Sequence, residues 1–271
     1  MIPRTLGALA LLALSSASAS AQVTLTTNAA FNSSYVWRGL TFTNRPVAQL
    51  DAALGVPVAG GTLSAGTFVN LEPAGYAGAA DISENGAGAA GLTEFDVFAE
   101  YGRTIGKASL AAGAIAFRFP NEAGLTKTYN TAEVYTRASF AVPLAPTVTV
   151  AYDVQKVRGF YLEGALLRRV PVTSKVGIDL GAAAGMSAGQ HWVDGSGENA
   201  NFEKNGLTHV DLSATTAIAG RGFTVAPTAH IVFGRDAYTR IVAPEQNRGT
   251  KLWIGAKVTW GHVFGATAEK P

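Results

Sequence analysis

The sequence predicts an all-β protein, a transmembrane antiparallel β-barrel of about twelve strands. Apolar and polar residues alternate with a period of two in one segment after another, each of roughly ten residues, which is typical of strands with one dry and one wet face. Charged residues make up only 15% of the 271 residues, and within each strand nearly all of them fall on the polar side of the alternation. Beyond the N-terminal region, no apolar run is long enough for a membrane helix.

The N-terminus predicts export. Arg4 precedes an apolar run at residues 6–14 and the small residues Ala19, Ser20 and Ala21, which is the pattern of a cleaved secretory signal. We therefore expect a signal peptide at residues 1–21, a barrel domain at residues 22–264 and a polar tail at residues 265–271. The chain has no cysteine, and Lys+Arg number 21 against 19 for Asp+Glu. Disulfides and thiolate metal sites are excluded, and nothing favours nucleic acid as a partner.

The first predicted strand, residues 23–38, has the longest alternation. Its odd positions are largely apolar and end in Tyr35 and Trp37, whereas its even positions are almost entirely polar. Eleven more segments alternate in the same way, and glycine, proline or polar residues separate them. The predicted strands are residues 23–38, 47–58, 63–71, 93–103, 108–119, 129–141, 148–155, 159–169, 175–186, 207–218, 223–233 and 251–264.

The connections predict how the strands are arranged. Mostly they alternate between long and short, and the longest, at residues 72–92, 187–206 and 234–248, are expected to be extracellular and to narrow the mouth. An even strand number places both termini at one end, which export makes the periplasmic end.

The apolar faces are predicted to contact the lipid of the outer membrane. Aromatic residues lie near their ends, as in interfacial girdles. Between those ends the residues are mostly Ala, Val and Leu, which are too small to fill a barrel this wide. The predicted girdle residues are Tyr35, Trp37, Phe95, Tyr101, Phe117, Phe119, Phe140, Phe160, Phe223, Phe233, Trp260 and Phe264.

The opposite face is predicted to be the wall of the lumen. Its charges are candidate pore residues, because charged rings set the ion selectivity of a water-filled pore, and their acidic excess favours cations weakly. Alternatively, the charges pair across strands and close the lumen. The candidates are Arg38, Asp51, Glu94, Asp96, Glu100, Arg118, Glu133, Arg137, Asp153, Glu163, Lys175, Asp179, Asp211, Lys251 and Lys257.

A stretch at residues 33–51 resembles the N-terminal pattern of the TorF-type, or Gcw_chp, family of proteobacterial outer-membrane porins. The matching residues are Ser33, Tyr35, Arg38, Gly39, Thr41, Thr43, Pro46 and Gln49. Val47 replaces the usual alanine, and Leu50 and Asp51 stand where paired glycines are typical. Only about the first forty residues of the barrel domain carry specific matches. The resemblance implies an outer-membrane barrel with a channel role and names no substrate.

Other sites are poorly supported. His209, Asp211 and Ser213 have the residue types of a catalytic triad, but positions two apart on a strand lie about 7 Å from each other. A partner on a neighbouring strand could complete such a site, and His230 reads as a lone polar wall residue. Residues 194–199 offer oxygen ligands for a surface calcium ion but lack the downstream glutamate of an EF-hand. The Gly-rich residues 86–91 have no flanking strand and helix to make a nucleotide site.

The sequence therefore predicts a monomeric channel for passive diffusion of small hydrophilic solutes or ions, with no catalytic residue and no cofactor or metal. Two other functions remain open. One is a closed outer-membrane barrel acting as a scaffold or adhesin, whose lumen charges should pair with one another. The other is an outer-membrane hydrolase.

Overall fold

The computed structural model describes residues 22–74, 91–120, 130–173, 176–190, 202, 204–234 and 249–264. The predicted signal peptide, the polar tail, Lys175 and the possible calcium loop at residues 194–199 lie outside the described residues. Most of the Gly-rich run at residues 86–91 and of the three long connections lies outside them too.

Backbone hydrogen bonds join the strands into one closed antiparallel barrel. β1 pairs with β4 on one side and with β15 on the other, and β12 pairs with β14, so the wall closes. Among the described residues the wall has twelve strands, because β13 continues β12 while β2 and β3 pair only with each other. In chain order the strands are β1 (Val23–Asn32), β2 (Tyr35–Trp37), β3 (Leu40–Thr43), β4 (Val47–Val58), β5 (Gly61–Glu72), β6 (Gly91–Ile105), β7 (Ala108–Phe117), β8 (Thr131–Phe140), β9 (Thr147–Asp153), β10 (Phe160–Pro171), β11 (Gly177–Ala188), β12 (Gly206–Thr216), β13 (Ile218–Ala219), β14 (Phe223–Gly234) and β15 (Thr250–Phe264).

The two ends of the barrel differ in their connections. Val23 pairs with Phe264, so both ends of the described barrel chain lie at the same rim. That rim also carries the tight turns, such as the one through Ala59 and Gly60, whose φ angles of 49° and 74° suit a two-residue hairpin loop. Because short turns face the periplasm in outer-membrane barrels, we name this the periplasmic end and the opposite rim the extracellular end.

The outer surface is apolar, as the alternation predicts. Leu50, Val97, Leu180 and Ile254 are exposed from different strands around the wall. Predicted girdle residues that are exposed are Phe95, Phe140, Phe160, Phe223, Phe233, Trp260 and Phe264. A closed barrel leaves no wall strand with an unpaired edge in lipid. In the described part of the chain, no helix is long and apolar enough to cross a membrane.

The first predicted strand is wrong in its second half. β1 ends at Asn32, and the chain then turns into the β2–β3 hairpin, which does not belong to the wall. The predicted outward position is also wrong for Tyr35, Trp37 and Phe117, because these aromatic residues pack inside the barrel. The lumen therefore has an apolar region that a uniformly wet interior would not have.

Candidate functional site: the barrel lumen

The β2–β3 hairpin folds into the lumen from the extracellular end of β1. Arg38 and Gly39 form its two-residue turn with φ angles of 51° and 80°, and Trp37 pairs with Leu40 across it. Positive φ at both central residues is the geometry that matches the twist of a tight hairpin. Leu40 is only 2% exposed and Val47, which follows the hairpin, is fully buried. The hairpin is therefore a packed plug and not an external loop.

Aromatic residues dock the hairpin on one part of the wall. The Phe42 ring lies 5.1 Å from Tyr35 and 5.6 Å from Trp37 within the hairpin. Trp37 meets Phe117 of β7 edge to face, with 5.8 Å between the ring centroids. Tyr35 lies 6.2 Å from Phe68 of β5. Burial of a large apolar side chain contributes about 1.5–3 kcal/mol, so this cluster supplies much of the docking free energy.

Arg38 fastens the tip of the hairpin to the opposite wall. Its two terminal nitrogens each donate to one carboxylate oxygen of Glu133 on β8, both at 2.7 Å. The guanidinium also stacks 4.2 Å from the Trp37 ring and 4.1 Å from the Tyr161 ring. Arg38 is 13% and Glu133 2% exposed, so this is a desolvated, bidentate pair. It joins elements 95 residues apart.

Hydrogen bonds also fasten the base of the hairpin. Thr43 donates to Glu72 at the end of β5. A row of amides crosses the wall beneath it: Asn32 donates to Gln49 at 2.8 Å, and Gln49 donates to Asn70 at 3.0 Å. Burying an amide costs free energy unless it is hydrogen-bonded, so these bonds stabilise the polar wall residues next to the buried hairpin.

Gly39 brings the hairpin tip against β12. A Cβ added at Gly39 would lie 2.5 Å from the Cβ of His209, closer than two such atoms can approach. His209 is itself buried and contacts the hydroxyl of Thr208. The tip is thus held on both sides, by the ion pair to β8 and by contact with β12.

Substituting Gly39→Ala is expected to expel the tip of the hairpin. The clash with His209 adds about 1–3 kcal/mol to the cost of a positive φ in a non-glycine residue. Trypsin should then cleave after Arg38 at least about tenfold faster in the folded barrel, since cleavage follows the population of the open state. Gly222→Ala is the matched control, because Gly222 has φ 81° and open space around it. Equal cleavage in both variants would show that the tip does not contact β12.

Many predicted lumen charges have partners within the described residues. Glu100 accepts from Arg137 at 2.8 Å and from Tyr135 at 3.0 Å. Asp211 pairs with His230 at 2.9 Å, and Asp179 pairs with Arg169 at 3.1 Å. These pairs lie on the polar face of their strands.

The remaining candidates have several roles. Glu163 accepts a hydrogen bond from the hydroxyl of Tyr161 at 2.7 Å. Asp153 is fully buried and accepts from Thr131 and from backbone N–H groups of the turn after β9. Arg118 donates to the carbonyl oxygens of Phe117 and Thr131. Lys251 contacts Asn44, and Lys257 lies opposite Ala30 and Ala226.

Apart from Asp153 and Glu163, three acids of the lumen wall have no cation within ion-pair distance among the described residues. Glu94 and Asp96 are buried side by side near Tyr35, and each has one carboxylate oxygen without a donor there. Asp51 accepts from the amide of Asn28. These acids lie on β4 and β6, on the side of the lumen where the hairpin docks.

His209, Asp211 and Ser213 do not bond to one another, but the neighbouring strand β14 supplies Asp211 with a histidine partner. His209 contacts Thr208, while Asp211 binds the Nδ1 of His230. The Nε2 of His230 lies 3.0 Å from the hydroxyl of Thr228, and its ring stacks on Trp253 at 3.9 Å. His230 is thus not a lone wall residue. In the part of the chain that the structure describes, no three His, Asp or Glu residues are grouped as a metal site would require.

Sequence reasoning missed the hairpin, although a signal for it exists. Arg38 and Gly39 form a two-residue turn between Tyr35 and Trp37 on one side and Leu40 and Phe42 on the other, which is a hairpin pattern. The two serines after Asn32 mark the break before it. The residues that carry the family resemblance at positions 33–43 are those that build this hairpin.

Comparisons with known proteins agree with the barrel. An outer membrane channel from Pseudomonas putida F1 has 9% sequence identity and a TM-score of 0.53, with 90% of this chain and 96% of that chain covered. The NanC porin gives a TM-score of 0.47 at 9% identity, covering 87% of this chain and 98% of its own. At 9% identity the likeness to the Pseudomonas putida channel shows the fold alone. A search of curated proteins gives no match.

The family model agrees with the resemblance at residues 33–51. The model described as "Bacterial protein of unknown function (Gcw_chp)" matches residues 16–173, more than half of the chain. Together with the closed wall and its apolar outer surface, the match places this protein in the outer membrane as a β-barrel of the Gcw_chp family.

Proposed function

We propose that the protein is an outer-membrane channel for small hydrophilic solutes or ions, narrowed on its extracellular side by the β2–β3 hairpin. One observation carries the proposal: charged groups on the lumen face remain in contact with solvent. Arg137 is 44% and its partner Glu100 22% exposed, although both project from the inner face of the wall. A barrel packed along its whole length would bury such groups. The similarity in fold to an outer membrane channel supports the same function.

The hairpin also favours a second candidate, a closed barrel that serves as a scaffold or adhesin. The segment from Leu40 to Thr43 is packed against the wall, three described arginine–carboxylate pairs neutralise charges of the lumen, and His230 is bonded to Asp211. The two functions differ in whether water and ions pass beside or beneath the hairpin.

Single-channel recording distinguishes the two functions. The chain from residue 22, refolded and inserted in a planar bilayer, is expected to give small, discrete current steps. Under a salt gradient these steps should show a mild cation preference, because acids outnumber bases among the predicted lumen residues. Asp51→Asn should reduce that preference. A barrel that is folded by its shifted gel migration but electrically silent would overturn the channel and favour the scaffold.

A further inference from the structure

A cavity of about 610 Å³ lies between the hairpin and the inner wall. It extends from Tyr35 and Trp37 of the hairpin to Arg137 and Thr149, which lie toward the periplasmic end. Phe68, Phe98 and Phe117 give it an aromatic lining from three wall strands. This volume is in the range of small-molecule sites, roughly 300–1,000 Å³.

The charges of the cavity are unbalanced. Four acids and two bases line it, and both bases are engaged, Arg38 with Glu133 and Arg137 with Glu100. The two acids left over are Asp51 and Asp96.

Of these two acids, Asp96 is the one that is buried. It is 3% exposed, and its Oδ1 has no hydrogen-bond donor among the described residues. The Glu94 carboxyl and the backbone N–H of Arg118 are hydrogen-bonded to the Asp96 carboxylate, while the Arg118 guanidinium is turned to two backbone carbonyls. A buried carboxylate oxygen without a donor is costly, and a cation in the cavity would compensate it.

We propose that this cavity binds a small organic cation, a protonated amine carried on an apolar or aromatic body. The ammonium group would lie beside Asp51 and Asp96, where its charge balances theirs, and the aromatic faces would add cation–π attraction. The body of the ligand would fill the space between Trp37, Phe68 and Phe117. An organic anion would face two carboxylates, and a neutral sugar would leave both uncompensated.

This inference rests on the proposed function, since it names the class of solute that the channel admits. Its test therefore measures binding and not current. A barrel that conducts without binding the amine refutes the cation site alone, whereas a barrel that binds the amine but stays silent refutes the channel alone.

Calorimetry with three ligands of matched shape provides the test. The refolded barrel in detergent micelles is titrated with 2-phenylethylamine, 2-phenylethanol and phenylacetate, each corrected for partition into empty micelles. The amine is expected to bind at least about tenfold more tightly than the alcohol, and phenylacetate most weakly. Asp96→Asn and Asp51→Asn should each weaken amine binding about tenfold.

Asp179→Asn serves as the matched control, because it removes the same charge from an acid that pairs with Arg169 away from the cavity. Its amine affinity should stay within about twofold of the wild type. If Asp96→Asn does not fold, Asp51→Asn decides alone. Equal binding of the three ligands, or amine binding that survives both cavity substitutions, would overturn the proposal and indicate an aromatic site for neutral solutes or no specific site.

Discussion

Removing the hairpin is expected to raise the unitary conductance several-fold. Residues 33–46 can be replaced by a two-residue Asn-Gly turn, because Asn32 and Val47 already face each other as cross-strand neighbours. The deletion takes Tyr35, Trp37 and Phe42 out of the lumen and leaves a wall of twelve strands whose pairing does not involve β2 or β3. A wider aqueous path then carries more ions. Planar-bilayer recording measures the change directly.

The same two-residue turn placed at residues 220–222 provides the control. That change shortens an exposed periplasmic connection and is expected to leave the conductance unchanged. The barrel without the hairpin should fold but be less stable than the wild type, since Phe68 and Phe117 lose their aromatic partners and become exposed to water. Conductance equal to that of the wild type in the hairpin-free barrel would mean that the hairpin does not obstruct the path.

Breaking the Arg38–Glu133 pair is expected to undock the hairpin tip. Glu133→Gln keeps the shape of the side chain but leaves a largely buried guanidinium without its carboxylate, which costs about 3–5 kcal/mol. The lost stability should lower the urea concentration at which half of the protein leaves the folded gel band. If the hairpin undocks while the wall stays folded, the loss should instead appear as long-lived states of high conductance. Gel migration and single-channel records measure the two effects.

Glu100→Gln is the matched control for this substitution. It breaks another arginine–carboxylate pair, in which one terminal nitrogen of Arg137 donates to both oxygens and Arg137 is 44% exposed, so the loss should be no more than about 1 kcal/mol. Exchanging the charges, Arg38→Glu with Glu133→Arg, should recover part of the stability. Recovery is incomplete because the stacking on Trp37 and Tyr161 is lost. Equal effects of Glu133→Gln and Glu100→Gln would contradict the assigned role of the pair.

The barrel wall could be predicted because its strands are determined by residues that are neighbours in the sequence. Alternation along each strand, turn residues between strands and charges on one side are all properties of neighbouring residues. Residues 47–58 are one example, since the predicted strand and β4 have the same bounds. The apolar outer face follows from the same alternation, as Leu252 and Ile254 of β15 illustrate.

The hairpin could not be separated from the first strand by alternation alone. A hairpin that enters the lumen is also made of β-strands, so Tyr35 and Trp37 continue the period of two that Val23 begins. What decides their side is a contact distant in sequence, with Phe68 and Phe117. Phe117 was misplaced for the same reason, because its neighbour in space is Trp37 and not lipid.

The pairing of the lumen charges could likewise not be predicted from the sequence. Arg38 and Glu133 are both visible as charges on polar positions, but their union depends on the turn at Arg38 reaching across the barrel. The pair of Asp211 and His230 depends on the register between β12 and β14. Such registers depend on how the barrel closes, and the alternation of residues along each strand does not reveal this.

The position of the β2–β3 hairpin inside the barrel can be measured by cysteine labelling. The chain has no native cysteine, so Leu40→Cys and Arg45→Cys each carry a single thiol, one buried in the hairpin and one exposed in the same connection. With a membrane-impermeant maleimide on the folded barrel, Leu40→Cys should react at least about a hundredfold more slowly, as expected for an opening free energy near 3 kcal/mol. Labelling at the same rate in both variants would contradict the internal position of the hairpin and would show that the segment is an external loop.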